Sequence, residues 1–160
     1  MTVIQFREVL EEELLQVAKL HNDLAYFIQK ETKDDYWDFE ILCTTQTYEY
    51  LQTFINNPER KIYVAVDDKE VVGFLAGEIV LCHLPISSIN KVGYISAAYV
   101  MPDYRGMKIM TELEKRITDY FKQCGLMYIE VNFIANNMLA KNTWKGLGYT
   151  TFREQARKKI

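Results

Sequence analysis

The sequence predicts an α/β domain built on a mixed sheet, on three observations. The apolar run Lys91–Val100 is followed by an amphipathic helix from Gly106 to Gln123 and then by a second apolar run, Met127–Ile134. A connection of ~20 residues is long enough for a parallel crossover, and such crossovers are right-handed. Upstream, Lys61–Asp67 and Val71–Leu81 flank the polar turn Asp67-Asp68-Lys69-Glu70, which reads as an antiparallel hairpin. Finally, 160 residues with 49% hydrophobic and 26% charged side chains fit one folded domain, 1–160.

The elements then follow in order. Val3 to Val9 alternates in polarity and reads as a first strand. Leu14, Val17, His21, Leu24 and Ile28 recur at helical spacing. His21 lies on that apolar stripe, as a hydrogen-bonded packing residue more than a catalytic one. The next segment, Glu31–Glu40, concentrates Asp34, Asp35, Asp38 and Glu40 with Tyr36, Trp37 and Phe39. It is either a solvated connector or part of a pocket for a cationic acceptor. Thr47 to Asn57 forms a shorter helix with Thr47 as its cap, ended by Asn57-Pro58. Within the hairpin, Gly73 and Gly77 mark a bulge or a close backbone approach. Glu78 is the one charge in the run Val71–Leu81, either facing solvent or reaching a cleft as a general base. Asn136 can cap a last helix, which Gly146 and Gly148 end. A final strand, Thr150–Phe152, precedes the basic residues Arg153, Arg157, Lys158 and Lys159.

Composition narrows the function. A net charge of −3 argues against nonspecific nucleic-acid binding. The absence of an apolar run of ~18 residues and of a secretory leader predicts a cytoplasmic protein with no membrane partner. Cys43, Cys82 and Cys124 are widely spaced, form no metal pattern and read as buried reduced thiols. No metal is expected.

The stretch with most chemical content is Val100-Met101-Pro102-Asp103-Tyr104-Arg105-Gly106-Met107-Lys108-Ile109-Met110. Pro102 ends the strand, Gly106 permits a tight turn, and the helix beyond presents free N–H groups and the positive end of its dipole to an anion. Arg105 adds a charge. Taken alone, this is also an ordinary strand-to-helix turn.

Together with Asn137-Met138-Leu139-Ala140-Lys141-Asn142-Thr143-Trp144-Lys145-Gly146-Leu147-Gly148-Tyr149, this stretch resembles the signature of the GNAT superfamily of acetyl-CoA-dependent N-acetyltransferases. Val100, Pro102, Tyr104, Arg105 and Gly106 match the first block. Lys108 and Met110 replace its two glycines, and Trp144 replaces the tyrosine that is the acid in many members.

The resemblance implies a GNAT-like mixed sheet with splayed central parallel strands and flanking helices. Acetyl-CoA is the implied co-substrate. Its pantetheine arm would pair with Ala98, Tyr99 and Val100, and its pyrophosphate would lie over Arg105, Gly106, Met107, Lys108, Ile109 and Met110. Asn137 and Trp144 complete the cofactor side. Direct transfer to an amine of a small molecule or peptide requires loss of the amine proton, to a base such as Glu78 or to a water chain, and a donor for the oxyanion near Tyr99 or Val100. Tyr94, Tyr99 and Tyr149 are candidate acids in place of Trp144. A thiolate of pKa near ~8.5 also leaves tolerably well without an acid. A homodimer is compatible with this reading. The alternative is a non-catalytic GNAT-fold module that binds acyl-CoA or another ligand.

Overall fold

The computed structural model describes residues 3–160. Strands β1 (Gln5–Glu8), β2 (Arg60–Asp67), β3 (Glu70–Leu81), β4 (Lys91–Val100) and β5 (Ile129–Val131) form one sheet in the order β1-β2-β3-β4-β5. Pairing is antiparallel from β1 to β4 and parallel between β4 and β5. The expected mixed sheet and its parallel crossover are both present.

Side chains alternate between the two faces of the strands, so each face has its own core. One face carries α1 (Leu14–Thr32) and α2 (Thr44–Gln52), with Leu14, Val17, Leu51 and Phe54 packed on Phe74, Ala76 and Ala97. The other carries α3 (Ile109–Gln123) and α4 (Met138–Gly146), with Leu113, Ile117, Phe121 and Trp144 packed on Ala65, Leu75 and Ile95. Burying each large apolar side chain contributes about 1.5–3 kcal/mol.

The glycines of the central strands set how closely α3 approaches. A Cβ on Gly77 would lie 2.9 Å from Ile117, and one on Gly93 would lie 2.3 Å from Phe121. Gly77 also borders a bulge: Ala76 pairs with Ala97 and Gly77 with Ile95, which leaves Ser96 without a partner on β3. The parallel pairing with β5 covers only Gly93, Tyr94 and Ile95. Beyond the bulge, β4 continues to Val100 with no strand of the described residues paired on its β5 side, so the two strands splay as expected.

Several local expectations are corrected. The first strand is shorter than Val3–Val9. The second parallel strand is Ile129–Val131, not Met127–Ile134, because the chain leaves β4 after Val131. α2 starts at Thr44, so Thr47 lies inside it. The Thr47 hydroxyl bonds the buried Asn22 Oδ1 at 2.7 Å in place of capping the helix. His21 is a packing residue, but through ring contacts: it stacks on Phe74 and meets Tyr50 edge-on. α4 is capped by Asn137, whose side chain accepts from Ala140 N at 3.2 Å, while Asn136 donates to Thr32 O. Cys43 and Cys124 are exposed and Cys82 partly so, not buried.

No strand forms at Thr150–Phe152. Residues 150–160 are exposed and held by side chains: Arg157 makes a bidentate pair with Asp34 (2.8 and 2.5 Å) and lies 4.2 Å over the Tyr36 ring. No helix of the described residues is long and apolar enough to cross a membrane.

Candidate active site

The site begins where β4 loses its partner. After Val100 the chain makes a single 3₁₀ turn, Pro102–Tyr104, and reaches α3 through Gly106 (φ 79°) and Lys108 (φ 60°). Both residues are left-handed, which explains why the helix starts at Ile109 and not at Gly106. Lys108 is the N-cap, and no side chain caps the helix. The first helical bond runs from Glu112 N to Lys108 O, so the N–H groups of Ile109, Met110 and Thr111 have no partner within the helix. Such a start attracts an anion through its N–H groups and its dipole. Lys108 therefore keeps the backbone shape that a glycine would adopt here, at the cost of a strained conformation.

The turn itself is anchored from outside. Tyr104 Oη donates to Asp67 Oδ2 at 2.9 Å, tying it to the end of β2. The Arg105 guanidinium is folded back onto the sheet. Its Nε donates to Val100 O at 3.1 Å, and its carbon lies 5.1 Å from the Phe27 ring and 5.5 Å from the Tyr99 ring.

A cavity of about 360 Å³ opens between this turn and the splay. Of the residues expected on the cofactor side, it is lined by Ala98, Tyr99, Val100, Arg105, Gly106, Lys108, Ile109, Met110, Asn137 and Trp144. Met107 is exposed and does not line it. The cavity joins three features that a nucleotide thioester needs: an uncapped helix start for its phosphates, open strand backbone for its amide arm, and an apolar wall. The residues present therefore fit CoA. Trp144 is buried at the back of the cavity, edge-on to Tyr149 at 5.4 Å.

The expected proton-transfer residues divide between two places. Tyr99 is in the cavity wall, with its phenol pKa raised, chiefly by burial. Glu78 and Tyr94 are register partners on β3 and β4, on the α1/α2 face of the sheet. Glu78 Oε2 lies 3.1 Å from Arg60 Nε, and Asn132 Nδ2 donates to Tyr94 Oη at 3.4 Å. Tyr149 does not line this cavity. Its hydroxyl donates to Glu114 at 2.9 Å, and burial, with the Glu114 charge second, pushes its pKa well upward.

Tyr50, which the sequence does not single out because it sits in an amphipathic helix, places its hydroxyl 3.4 Å from Glu78 Oε1, and the β4 bulge sets Ser96 out of register nearby. Among the described residues, no group of three or more metal-ligating side chains is gathered.

Comparison with known proteins decides the family. The model of the acetyltransferase (GNAT) family matches residues 24–149. The chain belongs to the GNAT family. It is an acyl-CoA-dependent N-acyltransferase with acetyl-CoA as co-substrate.

Solved structures show the same GNAT fold. An engineered variant of the BH1408 protein of Bacillus halodurans has a TM-score of 0.85 at 23% identity, over 98% of this chain and 99% of that one. An aminoglycoside N-acetyltransferase, AAC(6')-Iy, solved with CoA, has a TM-score of 0.81 at 11% identity, over 100% and 96%. An aminoglycoside 6'-N-acetyltransferase of Acinetobacter baumannii has a TM-score of 0.77 at 16% identity, over 99% and 98%.

Proposed function

We propose that this GNAT protein acetylates a primary amine of a cationic small molecule or peptide by direct transfer, with Glu78 drawing off the amine proton. The observation that carries the reading is the position of Glu78. It stands on the α1/α2 face of the sheet, opposite α3, one strand away from the point where β4 and β5 part. The cofactor arm, lying along Val100 to Ala98, would bring its thioester to that point, and an acceptor would approach from the α1/α2 face. A backbone N–H near Tyr99 or Val100 would receive the oxyanion.

The cationic character of the acceptor is supported by the acidic aromatic segment between α1 and α2. Gln29 Nε2 holds this segment against α1 by donating to Trp37 O and Phe39 O, at 2.7 and 2.8 Å. Two of the structural neighbours act on aminoglycosides, which are themselves polyamines. Asp34 and Asp35 already face Arg157 and Lys159 of the chain's own end, so Asp38 and Glu40 are the carboxylates left for an acceptor.

Release of free CoA thiol from acetyl-CoA, screened against amines and peptides, tests the function. Glu78→Gln should lower kcat by about 10²-fold or more with CoA affinity unchanged. Acetyl-CoA binding by calorimetry with no thiol release for any amine would overturn the proposed acceptor class.

A further inference from the structure

The polar cluster around Glu78 contains a group that the reaction as described leaves unused. Tyr50, on α2, places its hydroxyl 3.4 Å from Glu78 Oε1, while the nearby Ser96 hydroxyl donates to Ala76 O at 3.4 Å. Ser96 is the bulged residue of β4, at the point where β5 departs. Glu78 is largely covered and is held from its other oxygen by Arg60 on β2. Tyr50, by contrast, is exposed. Its ring is fixed edge-on to Phe54 at 5.5 Å and to His21 on α1 at 6.2 Å, so the hydroxyl has a defined position over the carboxylate. A molecule arriving on this face meets the phenol before it meets Glu78.

We infer that Tyr50 is a proton relay between the acceptor amine and Glu78, an assignment that rests on the amine-acetylating function proposed above. In this step the acceptor ammonium gives a proton to Tyr50 Oη as Tyr50 gives its own to Glu78 Oε1. One N–H bond and one O–H bond break, and two O–H bonds form. The amine is left neutral with its lone pair free, Tyr50 is unchanged, and Glu78 is protonated until solvent takes the proton. Burial and the Glu78 charge hold the phenol protonated at neutral pH, as a donor to the carboxylate requires.

The test compares two acceptors in the full chain: an alkylamine, protonated at neutral pH, and its hydrazide analogue, which is already neutral and needs no base. Tyr50→Phe keeps the ring contacts and removes only the hydroxyl. We expect at least a tenfold loss of kcat with the alkylamine, less than a twofold change with the hydrazide, and an unchanged KM for acetyl-CoA. The hydrazide rate also reports whether the variant is folded. Because the two groups act in series, Tyr50→Phe combined with Glu78→Gln should be no slower than the slower single variant. An equal loss with both acceptors, no loss with either, or additive effects in the double variant would overturn the relay while leaving the acetyltransferase function standing. No thiol release by the wild type with any amine would overturn both.

Discussion

The two sides of the sheet are built on different principles. On the cofactor side, β4, the turn, α3 and α4 make a site mainly from backbone: uncapped N–H groups at Ile109–Thr111 and the open edge of β4 from Ala98 to Val100. Interlocking packing supports it, with α3 seated on Gly77 and Gly93. On the α1/α2 face, where the acceptor is proposed to bind, Tyr50 of α2 meets Glu78 of β3 through side chains, and Tyr94 stands beside Glu78 in the strand register. A site made of backbone tolerates replacement of its side chains, which is why Lys108 can stand where the family has glycine. A site made of side chains has no such tolerance and is free to change its ligand.

Four experiments would break or sharpen this contrast. The largest effect should come from Gly93→Ala. The added Cβ would sit 2.3 Å from the fully buried Phe121 ring and push α3 off the strands that carry the splay. We expect a loss of about 3 kcal/mol in denaturant unfolding, the upper end of ordinary overpacking. An unchanged midpoint would show that the cofactor side is not stiff.

Next is Lys108→Gly. It relieves a left-handed lysine, worth about 1–2 kcal/mol, against a gain of about 0.5–1 kcal/mol in unfolded-state freedom. Stability should rise by up to about 1.5 kcal/mol. In calorimetry, CoA affinity should be nearly intact with a shallower salt dependence. A clear loss of affinity would mean that the lysine charge, and not the backbone, binds the phosphates.

His21 offers a smaller, pH-dependent effect on the acceptor side. Burial lowers its pKa below the ordinary histidine value of 6.5. Between the folded value and 6.5 the unfolded chain binds more protons, so stability rises with pH across that window and falls on acidification. His21→Phe should flatten the unfolding midpoint between pH 7 and pH 5. A slope equal to that of the wild type would place the titrating group elsewhere.

The smallest effect on stability belongs to Arg157→Ala. The Arg157 hydrogen bonds lower the Asp34 pKa, so this contact is present at neutral pH and lost as the pH falls through that depressed value, below 3.8. The variant should leave the thermal midpoint unchanged and speed tryptic cleavage after Arg153. Equal cleavage rates would show that the contact does not hold the end of the chain.

Resemblance to the GNAT family pointed to Ala98–Val100, and the sequence by itself determined the crossover, the hairpin, the amphipathic faces of α1 and α3, and the turn that carries Arg105, Gly106 and Lys108. These depend on local periodicity and on a turn whose residues are adjacent in the chain, so their physical causes can be read along it. Only the tertiary structure decided that β5 stops at Val131, that no strand follows α4, and that Asn137, not Asn136, caps α4. Pairing partners and cap geometry are settled by what lies opposite, and for residues 150–160 no strand does. The acceptor side lay furthest from view. A one-residue bulge sets Ser96 out of register, and Tyr50 reaches Glu78 across 28 residues of chain. A side-chain constellation of that kind leaves no period or spacing in the sequence, because it exists only once two helices have packed on the face that carries it.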